Sequence, residues 1–104
     1  MNSNPSPVGI PDTSIPIVTV FSKPSCVQCK ATYRALDRAG IPYEIVDVST
    51  DTEALAFVKK LDYAQAPVVY VEHPDTGSVD HWSGFQPGRL AALEATRPAP
   101  LDAA

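Results

Sequence analysis

The sequence has little of what membrane-bound, secreted or nucleic-acid-binding proteins carry. No apolar run approaches the roughly 18 residues that a membrane span needs, so no membrane partner is expected. No Lys or Arg precedes Lys23 and no long apolar segment lies near the start. Those are the marks of a secretory leader, and their absence makes the cytoplasm the expected location. Basic charge is scarce, with eight Lys and Arg against twelve acidic residues and a net charge of −4, which argues against nucleic acid phosphate as a partner. Cysteine is scarcer still, with two in the chain. Reducing compartments rarely keep structural disulfides, so a pair three positions apart points to catalysis or metal binding. A length of 104 residues, 44% of them apolar, fits one domain with a core but no large enclosed cavity. Such a protein is expected to be a monomer that works at its surface.

What charge there is lies unevenly. Lys23, Lys30, Arg34 and Arg38 surround the cysteines, opposed in that stretch by Asp37 alone. From Ala39 to His81 the acids dominate, as an ordinary solvated surface would allow.

Residues 1–14, rich in Pro, Ser, Asn and Gly, carry neither helical nor strand period and read as a flexible arm. Residues 97–104 read as a tail, which leaves 15–96 as the folded domain. Ile15 to Phe21 is β-branched and aromatic, apolar at nearly every position, as in a strand covered on both faces. Ser22-Lys23-Pro24-Ser25 breaks it. From Cys26 the pattern turns helical, with Cys29, Tyr33 and Leu36 on one stripe and Gly40 as the stop. Pro42 to Val48 is a second strand. Thr50 to Glu53 has the spacing of a capping box, with Thr50 as N-cap, before a helix carrying Ala54, Val58 and Leu61. Val68 to Val71 is a third strand, Asp75-Thr76-Gly77 a hairpin turn, and Ser78 to Trp82 a fourth strand. Pro87 opens a last helix with Leu90 and Leu93. The order β-α-β-α-β-β-α gives an α/β fold. Its four-stranded mixed sheet, parallel at the start and antiparallel at the end, has helices on both faces, the minimal thioredoxin architecture.

Cys26-Val27-Gln28-Cys29 places a thiol at the first turn of a helix, directly after a strand. The unpaired amides and the dipole of that turn favour an anion. Cys26 is therefore expected to have a depressed pKa and to be the attacking thiol, with Cys29 deeper and resolving the mixed disulfide. Lys23 and Lys30 either add favourable charge or face solvent. A four-residue disulfide loop constrains almost no chain entropy, so a purely structural bridge makes little sense. The rival of another class is a non-catalytic zinc or iron–sulfur module. Its weakness is that seven residues separate His73 from His81, outside the usual zinc spacing. Gln65-Ala66-Pro67-Val68 is a second signal. A proline at a strand's entry is where an X–Pro bond can be cis and a backbone edge can stay open, the alternative being an ordinary trans proline that starts an edge strand; the cis form is expected here. Ala66, Pro67 and Val68 are expected to meet an extended substrate there.

Phe21 to Lys30, then Ala66-Pro67-Val68-Val69, then Trp82-Ser83-Gly84-Phe85-Gln86-Pro87, closely resemble the NrdH-redoxins, glutaredoxin-like proteins with thioredoxin-like behaviour. The resemblance covers roughly Ile17 to Leu93. It implies a hydrogen donor for class Ib ribonucleotide reductase, re-reduced by thioredoxin reductase using NADPH. It also implies Cys26 as attacking thiol, Cys29 as resolving thiol and Pro67 as the cis-proline. No cofactor would be bound, and NADPH would act only through the reductase. Val27, Gln28, Ser83 and Gly84 would face the partner, and Trp82 and Phe85 would give it an apolar surface. Where the family has an Arg and then an acid around the last proline, this chain has Gln86 and Gly88, so an ionic tie in that loop is missing. The runner-up among enzymes, a glutathione-dependent glutaredoxin, calls for a Gly-Gly pair and an acidic turn. Trp82-Ser83-Gly84-Phe85 stands there instead, bulky and uncharged.

Overall fold

A computed structural model describes residues 15–96; the expected arm, 1–14, and tail, 97–104, lie outside them. The elements run β1 (Ile17–Ser22), α1 (Val27–Ala39), β2 (Tyr43–Asp47), α2 (Thr52–Lys60), β3 (Val68–His73), β4 (Ser78–Ser83) and α3 (Pro87–Thr96). The order is the expected one. The sheet runs β2-β1-β3-β4, with β1 parallel to β2, antiparallel to β3, and β3 antiparallel to β4.

Register decides which side chains meet. Ile45, Val20, Val69 and Trp82 stand in one row across the sheet. On that face Val18, Val20, Val69, Val71 and Trp82 pack with Leu36 and Ile41 and with Leu90 and Leu93 of α3. The opposite face meets α2 through Phe57, whose ring lies 5.4 Å from that of Phe21 and 5.2 Å from that of Tyr70. Because α2 is only nine residues long, β1 is not covered on both faces as expected. Phe21 is half-buried, but Ile17, at the far end of the same face, is 52% exposed.

Helix ends follow from short-range chemistry. Gly40 adopts φ 70° and closes α1, with its amide on the Asp37 carbonyl and the Ile41 amide on that of Leu36, 3.0 Å each. That is the left-handed cap glycine allows without a Cβ penalty. The cap of α2 is shifted by one residue from the expected Thr50. Asp51 Oδ1 accepts the Ala54 amide at 3.0 Å, because the Thr50 hydroxyl is turned back to the Asp47 carbonyl at the end of β2, 3.3 Å away. Glu53 lies in the first turn, where its charge suits the positive helix end.

Candidate active site

The site is built at one end of the sheet, where β1 ends, β3 begins and β4 ends. Phe21 pairs with Val68 and Val68 with Ser83 there. The chain leaves β1 through Lys23-Pro24-Ser25. Ser25 takes φ 57°, a left-handed turn that is uncommon for a residue with a side chain. Cys26 then has extended backbone and stands as the N-cap of α1, one position before the first turn that the sequence pattern assigned to it. Its sulfur does what a cap oxygen does, accepting the amide of Cys29 at 3.1 Å. Cys26 and Cys29 are joined in a disulfide. The two residues differ in burial, Cys26 being 8% and Cys29 1% exposed. That is the expected order of depth.

The Ala66–Pro67 bond is cis, as expected from its place at the head of β3. Pro67 and Val68 are buried and Ala66 half-buried. The Pro67 carbonyl accepts the Gly84 amide at 2.8 Å, and the Ser83 hydroxyl donates to the Gln65 carbonyl at 2.8 Å. Gln28 Oε1 accepts the Phe85 amide at 2.8 Å. These three bonds bring the three sequence motifs into one place. Beside them runs an open groove of about 320 Å³, lined by Phe21, Lys23, Leu55, Tyr63, Gln65 and Ala66 among others. Lys23 and Lys30 are both exposed.

Of the residues expected to face a partner, Val27 is 78% exposed, a large apolar side chain standing in solvent between the two cysteines. Gln28 is exposed, Ser83 and Phe85 half-buried. Trp82 departs from the expected apolar surface. At 4% exposed it belongs to the core and offers no apolar surface. Its place opposite Val69 turns the ring to the helical face of the sheet, and Arg89 lies over it, 5.5 Å from the ring centroid. The missing Arg and acid of the last motif are replaced by a neutral tie, Gln86 Nε2 donating to the Ser83 carbonyl at 2.9 Å.

Three contacts carry no signal in the sequence. Ser22, buried at the end of β1, is hydrogen-bonded to the Tyr33 hydroxyl. The Tyr63 hydroxyl meets His81 Nδ1 at 2.8 Å, tying the segment before the proline to β4. The third is the Gln28 bond to Phe85. Among the described residues no three of His, Cys, Asp and Glu come together as a metal ion would require.

A cysteine pair whose first member caps a helix and whose second is the more deeply buried, with a cis-proline at the head of a strand of a mixed four-stranded sheet, defines a thiol–disulfide oxidoreductase of thioredoxin fold. Comparison with known proteins narrows this. Residues 18–73 match the Glutaredoxin family. The glutaredoxin-like protein NrdH of Escherichia coli is 34% identical over 83 residues, covering 80% of this chain and 91% of that protein. NrdH of Lactococcus lactis is 31% identical over 77 residues, 74% of this chain and 99% of that one. The solved NrdH-redoxin of Escherichia coli superposes with a TM-score of 0.68 at 32% identity, covering 81% of this chain and 99% of that one. The chain belongs to the glutaredoxin family, in its glutaredoxin-like NrdH branch.

Proposed function

We propose that this protein is a dithiol electron carrier of the cytoplasm, reduced by thioredoxin reductase at the expense of NADPH and donating to class Ib ribonucleotide reductase. The observation that carries the exchange chemistry is the amide of Cys29 on the sulfur of Cys26. An N–H donor at a helix N-terminus stabilises sulfur as the thiolate, the form that attacks. The Cys26 thiolate attacks a substrate disulfide, forming a mixed disulfide and releasing one substrate thiolate. Cys29, as thiolate, then attacks Cys26 Sγ, closing the protein disulfide and releasing the second. Two electrons pass to the substrate, and the two protein thiols supply the protons. The Ala66-Pro67-Val68 edge is where the backbone of an extended substrate would lie.

The choice of partner rests on two supports. The Escherichia coli NrdH-redoxin is described as glutaredoxin-like with a thioredoxin-like activity profile. In this chain, 82–88 holds no charged side chain, while glutathione needs partners for two carboxylates and an amine. Ribonucleotide reductase follows from the family resemblance.

A coupled assay tests the reading. NADPH oxidation is followed with thioredoxin reductase in one cuvette and with glutathione plus its reductase in another. The first is expected to be fast and the second slow at millimolar glutathione. Faster turnover with glutathione replaces this reading by that of a glutathione-dependent glutaredoxin.

A further inference from the structure

Gln28 stands between the two cysteines, exposed, yet both of its carbonyl oxygens are engaged within the molecule. Its backbone carbonyl accepts the hydroxyl of Thr32, which is fully buried, at 2.9 Å. Its side-chain Oε1 reaches across 57 residues of sequence to the Phe85 amide, 2.8 Å away. Gly84 makes that approach possible: a Cβ there would stand 3.1 Å from Gln28 Oε1, and φ is +84°. The other ties of the loop lead elsewhere. Gly84 is bonded to Pro67, Ser83 to Gln65, and Gln86 back to Ser83. Without Gln28 the loop stays fastened to the proline edge but loses its hydrogen bond to the helix that carries the thiols.

We propose that Gln28 is a positioning residue for disulfide exchange with protein partners. Its side-chain carbonyl holds loop 83–86 in fixed register with Cys26, so that an incoming protein meets thiol and loop as one preorganised surface. This deepens the reading of the site as one that serves protein disulfides, and it rests on that reading. The physical gain is in binding, because a loop held in place loses less freedom when a partner docks. A small dithiol that touches only sulfur gains nothing from it.

The test compares Gln28→Met, which keeps length and loses the acceptor, with Gln28→Glu, which keeps an acceptor oxygen. KM is measured with thioredoxin reductase and NADPH, and separately with insulin as the protein disulfide under dithiothreitol. Losing one neutral hydrogen bond is expected to raise KM roughly 2- to 12-fold in Gln28→Met. The expected kcat and rate of reduction by dithiothreitol are those of the parent. Gln28→Glu is expected to recover KM, its added charge appearing instead as a shift of the thiol pH profile to higher pH. Amide hydrogen exchange at Phe85 should quicken in Gln28→Met and not in Gln28→Glu. Unchanged KM in Gln28→Met overturns the proposal, as does an equal rise in both variants, which would mean that the amide group touches the partner itself. A change confined to kcat and the dithiothreitol rate also overturns it, placing Gln28 on the dithiol. The insulin arm stands even if thioredoxin reductase fails as the donor, so the two readings fail separately.

Discussion

Within the disulfide that joins them, the backbone amide of Cys29 points at the sulfur of Cys26 across 3.1 Å. In the reduced protein this favours negative charge on Cys26 over Cys29, which lies deeper and 1% exposed. Alkylation of reduced protein below neutral pH, read by peptide mass spectrometry, should label Cys26 first. Cys29→Ser should accumulate a mixed disulfide with an oxidised protein and fail to release it. Preferential labelling of Cys29 would reverse the two roles.

Trp82 is the largest side chain of the core, set between Val69 and α3. Trp82→Ala should cost about 3–5 kcal/mol of unfolding free energy, as removal of a buried aromatic does, read from urea denaturation. Activity should fall with thioredoxin reductase and with dithiothreitol alike, in proportion to the folded fraction. A stable variant impaired only with the reductase would return the ring to the surface role that its sequence context suggests.

The hydroxyls of Ser22 and Tyr33 satisfy one another where β1 leaves the core. Ser22 is 4% exposed, whereas Tyr33 is half-buried and reaches water more easily. Tyr33→Phe strands a buried hydroxyl and should cost about 1–3 kcal/mol, and Ser22→Ala less. The double variant should cost less than the sum of the singles, which a denaturation cycle measures directly. Strict additivity would show that the two hydroxyls are not coupled.

Tyr43 titrates above its ordinary 10.0. Desolvation by burial is the main cause, followed by the hydrogen bond it donates to Asp37 and the charges of Asp37 and Tyr33. A phenol that holds its proton more tightly when folded contributes stability that is full below pH 10.0 and lost as pH rises through the folded value. Unfolding free energy should therefore fall in alkali above that pH, and fall less steeply in Tyr43→Phe. Phenolate absorbance should show a late-ionising component in the parent that Tyr43→Phe removes. Equal alkaline slopes would sink the assignment.

Much of this was legible in the chain because it is local. The stripe Cys29, Tyr33, Leu36 and the stop at Gly40 lie within three turns, and α1 ends there. The proline before Val68 and the order of the seven elements were legible for the same reason. The cap of α2 differs from its sequence pattern by a single residue. Thr50 and Asp51 are both good caps, and what separates them is a hydroxyl bond back to Asp47 that a capping pattern does not contain.

Periodicity and spacing over a few residues were enough to place the elements, their order, the pair of thiols and which of them lies deeper. Tertiary structure alone decided how deep Trp82 lies, because an apolar ring at a strand's end suits a surface or a core equally until register sets it opposite Val69. It also decided that Gln28 serves Phe85. A hydrogen bond between residues 57 positions apart depends on where the sheet brings a helix and a loop together, and no property of either residue states that in advance.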